Sequence, residues 1–303
     1  MNATFTTVIS IFIILLLGYS AKKFKVLKQQ DEVVISNIVI NFTLPALIFA
    51  STHGKPLNTS MITAPLVTIL IQFLIMGIAF GFAKAIKLDR KCIGGLLLVC
   101  VYGNTAYLGY PLISAIFPHS KSAMLTAVLF DFIAMRLPLL TIGVVIAATF
   151  AGDKFRWSNL NELWKMPALW AMVIALITKD MYIPDVLLKT FKILGDATTP
   201  MAMLSIGLSL STSSIKKYPI VYMVVFILKM MALPLAVWFI TLHIGVSGII
   251  RDVVIIQSIT PTAVNAGVIA SKYGKCGEFA AGAVFLTTLA SIGMIPLALY
   301  LIK

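Results

Sequence analysis

Cys100-Val101-Tyr102-Gly103-Asn104-Thr105-Ala106-Tyr107-Leu108-Gly109-Tyr110-Pro111-Leu112 lies inside a long apolar segment, yet it is poorly suited to an unbroken helix. Gly103 and Gly109 weaken a helix through backbone entropy, and Pro111 removes an intrahelical hydrogen bond and clashes with the preceding turn. Asn104 adds a polar side chain at the same depth. Backbone groups freed here cannot face lipid; they must face protein or a water-filled cavity. A second apolar segment repeats the pattern as Gln257-Ser258-Ile259-Thr260-Pro261-Thr262-Ala263-Val264-Asn265-Ala266-Gly267.

The surrounding chain supports a membrane setting. Of its 303 residues, 60% are hydrophobic and 12% charged, with a mean hydropathy of +1.01. A soluble domain of average composition carries about 25% charged residues. Apolar runs long enough to cross a bilayer recur at about 4–21, 33–51, 62–83, 92–116, 122–150, 166–179, 197–212, 218–242, 252–271 and 279–302. The sixth and seventh are short. Between them, Ile183, Val186, Leu187, Leu188, Phe191 and Ile193 alternate with Lys189 and Lys192, which predicts a helix lying at the membrane surface. The first run follows Met1-Asn2-Ala3 with no basic flank, so it reads as a transmembrane helix and not as a cleaved signal peptide.

The net charge of +13 does not point to nucleic acid, because the lysines sit between apolar runs and not in one cluster. Lysine plus arginine after the odd-numbered spans number 4, 4, 3, 2 and 2, totalling 15. After the even-numbered spans and at Lys303 they are 1, 1, 3, 1 and 1, totalling 7. This bias places Lys22–Lys28, Lys84–Lys91 and Lys216–Lys217 in the cytoplasm and both termini outside the cell membrane. Tyr19, Trp157, Trp164 and Tyr300 fit interfacial anchors. Cys92, Cys100 and Cys276 form no C-x-x-C pair, and His53, His119 and His243 stand at span ends, so no disulfide framework, metal site or cofactor is indicated.

A repeat is visible at a shift near 155 residues. Asn41-Phe42-Thr43-Leu44-Pro45 matches Asp196-Ala197-Thr198-Thr199-Pro200, Pro138 matches Pro296, and Gly103-Asn104 lies opposite Thr260-Pro261. Five spans per copy is an odd number, so the second copy must be inverted, a common plan for secondary transporters. The expected fold is an all-α polytopic membrane protein. Its ten transmembrane helices form two inverted five-helix repeats, with helices 4 and 9 discontinuous. The whole chain, 1–303, is one transporter domain, with repeats at about 1–150 and 165–303.

Two interrupted spans at corresponding positions are the strongest pointer to a substrate site. Each half-helix exposes N–H groups equivalent to about half a positive charge, which attracts a carboxylate without a contacting lysine. The opposing C-terminal ends are negative, and a buried cation would compensate them. Lys229 is the candidate. Asp131 and Arg136 are the other ionisable residues inside spans, and such groups mark function by default. Their spacing of five does not match i,i+4 pairing. Asn104, Thr105, Tyr107, Gln257, Thr260, Thr262 and Asn265 form the candidate binding set, with Gly103, Pro111 and Pro261 at the crossover. Asn41, Pro45 and Pro200 support it. A dicarboxylate would need a second polar contact, from Gln257 or Asn265.

On Asn41–Phe49, Gly103–Leu112, Asp196–Gly207 and Gln257–Tyr273, the chain resembles the auxin efflux carrier family, bacterial branch, over essentially its whole length. The resemblance implies ten helices, with the discontinuous helices 4 and 9 crossed, a fold related to that of bile-acid symporters, and export or exchange of organic anions. Bacterial relatives include malonate transporters, and plant relatives export indole acetate. It also implies that Asn104 faces the substrate carboxylate, that Pro261 marks the second crossover, and that Lys229 takes the place of a basic residue in span 8. Two departures set the chain apart from plant members. Gly103 replaces a proline, and Met166-Pro167-Ala168 stands where they carry Asn-Pro-Asn. The long cytoplasmic loop of many plant members is absent.

Partners expected on these grounds are a small organic anion, the bilayer, and a proton or sodium ion; the resemblance leaves a homodimer open. A sodium-coupled symporter would share the fold and need an oxygen cage, for which Asn104, Thr105, Gln257, Thr260 and Thr262 supply oxygens. A membrane sensor that transports nothing is a further alternative. An intramembrane enzyme would need a His-Glu-x-x-His pair, a catalytic aspartate pair or a serine with a histidine at depth; the sequence holds none.

Overall fold

A computed structural model describes residues 3–120, 122–152, 161–210, 218–274 and 277–302. Trp157, Lys216, Lys217 and Cys276 lie outside the described residues. In chain order the main helices are α1 (Ala3–Lys23), α2 (Asp31–Thr52), α3 (Ser60–Ala85), α4 (Arg90–Val101), α5 (Tyr110–Ile116), α6 (Ala123–Ala151) and α7 (Pro167–Ile177). They continue as α8 (Asp185–Asp196), α9 (Thr198–Ser209), α10 (Pro219–His243), α11 (Gly248–Ser258), α12 (Val264–Gly274) and α13 (Gly277–Ile302). No strand occurs among the described residues beyond one isolated bridge.

By length and composition, α2, α3, α6, α10 and Glu278–Ile302 of α13 are able to cross a membrane. The reason is visible along α3. Ala64, Thr68, Ile71, Gln72, Ile75 and Ala79 face inward at helical spacing, while Leu66, Leu70, Leu74 and Ile78 are exposed. A helix apolar on both faces has no side for water. The helices at the expected spans 6 and 7, α7 and α9, are short, and a helix, α8, occurs between them where the surface helix is expected.

Several helices widen ahead of a proline. Turns with i→i+5 bonding occupy Val39–Thr43, Thr105–Gly109, Asp131–Arg136 and Phe226–Ala232. Pro45, Pro111, Pro138 and Pro234 follow each within two residues. Proline cannot donate to the carbonyl four residues back and crowds it, so the preceding turn opens to relieve the clash. Pro65 and Pro296 sit inside helices without such a turn.

The chain packs into two compact units. The first comprises Met1–Asn58, Ala106–Leu129 and Glu162–Leu210; the second comprises Thr59–Thr105, Phe130–Asn161 and Ser211–Lys303. Each therefore draws segments from both halves of the sequence. In the first unit, α1 and α9 approach through glycines: a Cβ at Gly207 would meet the backbone of Leu15 and Tyr19, and one at Gly18 the backbone of Leu204. Small residues at such contacts let membrane helices pack closely. The Lys22 ammonium donates to Leu208 O (2.8 Å) and Leu210 O, capping the carbonyl end of α9. In the second unit α4 is central, buried at every residue from Cys92 to Val101.

One correction concerns cysteine. Cys92 is disulfide-bonded, and Cys100 is a buried free thiol. Sequence spacing did not indicate a disulfide, because pairing depends on tertiary approach.

Candidate functional site

Both interrupted segments break where the residues predict. The helical run of α4 stops at Val101, and Tyr102 is extended at φ −83° and ψ 122°. On the other side, α11 stops at Ser258 and α12 begins at Val264. The residue before a proline disfavours the helical region, which ends α11 ahead of Pro261.

The two breaks lie in the second unit and pair with each other. Gly103 and Thr262 form an antiparallel bridge. The Asn104 N–H donates to Pro261 O at 2.7 Å, and the Ala263 N–H donates to Tyr102 O at 2.9 Å. Thr262 closes two more groups: its hydroxyl donates to Val99 O at 2.8 Å, and its N–H donates to Thr287 Oγ1 at 3.0 Å. The Gly103 N–H points to Met135 Sδ at 3.4 Å. The interrupted backbone is thus satisfied by the other interruption, as buried backbone must be. Glycine is required at 103 for space, since a Cβ there would run into Thr260 Oγ1 and stand 3.3 Å from Lys229 Nζ.

Charge is arranged around this pairing. Lys229 is fully buried, and its ammonium donates to Ser258 O, the last residue of α11, at 2.7 Å. No acidic side chain lies within ion-pair distance of it among the described residues. Thr105 donates to Asp131 Oδ1 at 2.5 Å, and Arg136 Nε donates to Asp131 Oδ2 at 3.1 Å. The five-residue spacing that does not match an ordinary helical pair is brought onto one face by the i→i+5 turn Asp131–Arg136.

Three amides behave differently. Asn104 is 8% exposed, and its side chain makes no hydrogen bond among the described residues. Gln257 is fully buried, with neither amide atom partnered among the described residues. Asn265 is exposed in the first turn of α12. The N–H groups of Val264, Asn265 and Ala266 meet no acceptor among the described residues; the first bond of that turn runs from the Gly267 N–H to Ala263 O at 3.3 Å.

The second unit thus brings together Gly103, Asn104, Thr105, Asp131, Arg136, Lys229, Thr260, Pro261 and Thr262. Thr260 donates to Gln257 O at 2.7 Å and is fully buried. Tyr107, Pro111, Asn41, Pro45 and Pro200 belong to the first unit. There, Pro111 is buried in α5, Asn41 and Pro200 are exposed, and the Asn41 amide donates to Asn37 O at 2.8 Å. Sequence reasoning missed Thr287, which holds the Thr262 N–H, and Gln72, whose amide donates to Ala134 O at 2.9 Å. Gln72 was legible as the one amide in a long apolar helix, and Thr287 as part of the Thr287-Thr288 pair in another.

Comparison with known proteins finds relatives named as transporters. An uncharacterized transporter of Methanocaldococcus jannaschii is 30% identical over 300 residues, covering 96% of each chain. An uncharacterized transporter of Methanothermobacter thermautotrophicus is 25% identical over 294 residues, again covering 96% of each. The family described as membrane transport protein matches residues 3–151 and 154–300, nearly the entire length. The chain, a helical membrane protein with paired breaks in two of its apolar segments, belongs to the membrane transport protein family, the auxin efflux group that its sequence resembles.

Proposed function

We propose that this protein is a secondary transporter of small organic acid anions in the cell membrane. It works by alternating access, of elevator or rocking type, on ten spans arranged as two inverted repeats with both termini outside. The observation that carries the reading is the pairing of the breaks with an unmatched set of donors beside it. The first-turn N–H groups of α12 and the Asn104 amide are free of protein partners among the described residues. A helix N-terminus carries about half a positive charge, and N–H groups with an amide suit a carboxylate. Lys229, donating to the C-terminal carbonyl of α11, offsets the opposite partial charge. Its role is to hold the break, and it leaves the substrate to the donors on the other side.

The test is carboxylate binding to the purified protein, followed by thermal shift or radioligand. A small organic acid is compared with its neutral amide and with a cation of similar shape. The acid should bind best. Asn104→Ala should weaken it about tenfold, the effect of one hydrogen bond to a charged group, while folding is kept because the side-chain amide makes no hydrogen bond among the described residues. Preference for the amide or the cation contradicts the reading, and insensitivity to Asn104→Ala moves the site elsewhere.

A further inference from the structure

The first unit holds a polar cluster that the anion reading does not use. Glu32 in the first turn of α2, Ser36 one turn on, and Ser205 of α9 bring three oxygens together. Ser36 Oγ donates to Glu32 Oε1 at 2.6 Å, Ser205 Oγ donates to the same oxygen at 3.0 Å, and the two hydroxyl oxygens stand 2.8 Å apart. The three separations close a triangle. Two hydroxyls bring two hydrogens to its three edges, so with both given to Glu32 the edge between the serines has no hydrogen of its own. Ser205 is 1% exposed, and Glu32 and Ser36 are half-buried.

The positive charge at this place is the partial charge of the α2 N-terminus. Among the described residues no basic side chain pairs with Glu32. Lys22, on the adjoining α1, gives its ammonium to the carbonyls of Leu208 and Leu210.

We propose that Glu32, Ser36 and Ser205 form a binding site for a monovalent cation of sodium size. An all-oxygen donor set selects hard cations. One acidic side chain matches one positive charge, whereas calcium takes about 6–8 oxygens, several from carboxylates. Turning the two hydroxyl hydrogens outward exposes lone pairs on one face of the triangle and opens its edges around the ion. Glu32 Oε2 and water complete the shell. Tyr107, in the same unit, stands with its hydroxyl 3.5 Å from Ser36 O, three residues beyond Asn104 in sequence. That contact ties the Ser36 backbone to the segment that follows Asn104 in the chain, and through that segment the ion would act as a coupling ion for the anion. The coupling rests on the proposed function; the cation binding does not.

Thermal unfolding of the purified full-length protein in sodium, potassium or choline chloride, at one ionic strength and without carboxylate, tests the site. Sodium should raise Tm saturably above choline, as a ligand of the folded state does. Glu32→Gln should abolish the rise, and Ser205→Ala should require about tenfold more sodium, the loss of one ligating contact to a charge. Equal Tm in the three salts, or a sodium response kept by Glu32→Gln, overturns the proposal. If Glu32→Gln does not fold, an unchanged sodium requirement in Ser205→Ala overturns it instead. Carboxylate binding is then measured in choline and in sodium. Tighter binding in sodium for the parent but not for Glu32→Gln supports coupling. A sodium response with no carboxylate binding in either salt supports the cation site and removes the anion reading.

Discussion

Two breaks face each other in the second unit, and different chemistry closes them. Ahead of the first, α4 ends on carbonyls that take neutral donors: Val99 O from the Thr262 hydroxyl at 2.8 Å, and Tyr102 O from the Ala263 N–H at 2.9 Å. Ahead of the second, α11 ends on Ser258 O, which takes the Lys229 ammonium at 2.7 Å. Beyond the first break, Thr105 is held by the Asp131–Arg136 pair. Beyond the second, the first turn of α12 keeps its N–H groups free among the described residues. The backbone pattern recurs and the charge pattern does not. Positive potential is left on one side of the pairing, where an anion would be held.

The largest expected effect comes from removing that asymmetry. Lys229→Met should lower carboxylate flux in proteoliposomes about tenfold or more and cost roughly 2 kcal/mol of stability, the upper range for a cation at a partly buried helix C-terminus. Lys229→Arg should retain part of both, because it keeps the charge. Unchanged flux and Tm in the methionine variant would make the two breaks equivalent and end the compensation argument.

A smaller effect is expected where the breaks touch. Gly103→Ala places a Cβ against Thr260 Oγ1 and beside Lys229 Nζ. It should destabilise by about 1.5 kcal/mol, the cost of overpacking, and lower flux more than Tm predicts, because it displaces the ammonium. A variant as stable and active as the parent would show that the second break gives way freely. The smallest effect belongs to the neutral cap. Thr262→Val removes the donor to Val99 O and should cost about 1 kcal/mol, read as a lower Tm, with Thr262→Ser recovering most of it. A loss as large as that of Lys229→Met would mean that the neutral side, and not the charged side, holds the site.

How much of this was legible in the sequence differs from residue to residue. The helix interruptions were, since Gly103 and Pro261 act on their own backbone within one turn, whereas Pro111 falls in the first turn of α5, beyond the break. The buried position of Lys229 was, because it stands alone in an apolar run. The Asp131–Arg136 pair was read against ordinary helical spacing and missed, although Pro138 was the available signal for a widened turn. Gln257 and Asn265 were equivalent by sequence; in the fold one is wholly buried and unpartnered, the other exposed.

The sequence by itself determined that the chain lives in a bilayer, that its long helices are apolar on all sides, and where two of its spans must break. Those outcomes follow from the solvation of each segment and from local backbone sterics, which need no distant partner. Only the tertiary structure decided which groups close the breaks and which remain open. Lys229 reaches Ser258 across 29 positions, Thr262 reaches Val99 across 163, and Ser205 meets Ser36 across 169. A freed carbonyl or hydroxyl specifies only that it needs a partner in a medium without water. Which residue arrives depends on helix packing, and that is a property of the whole unit.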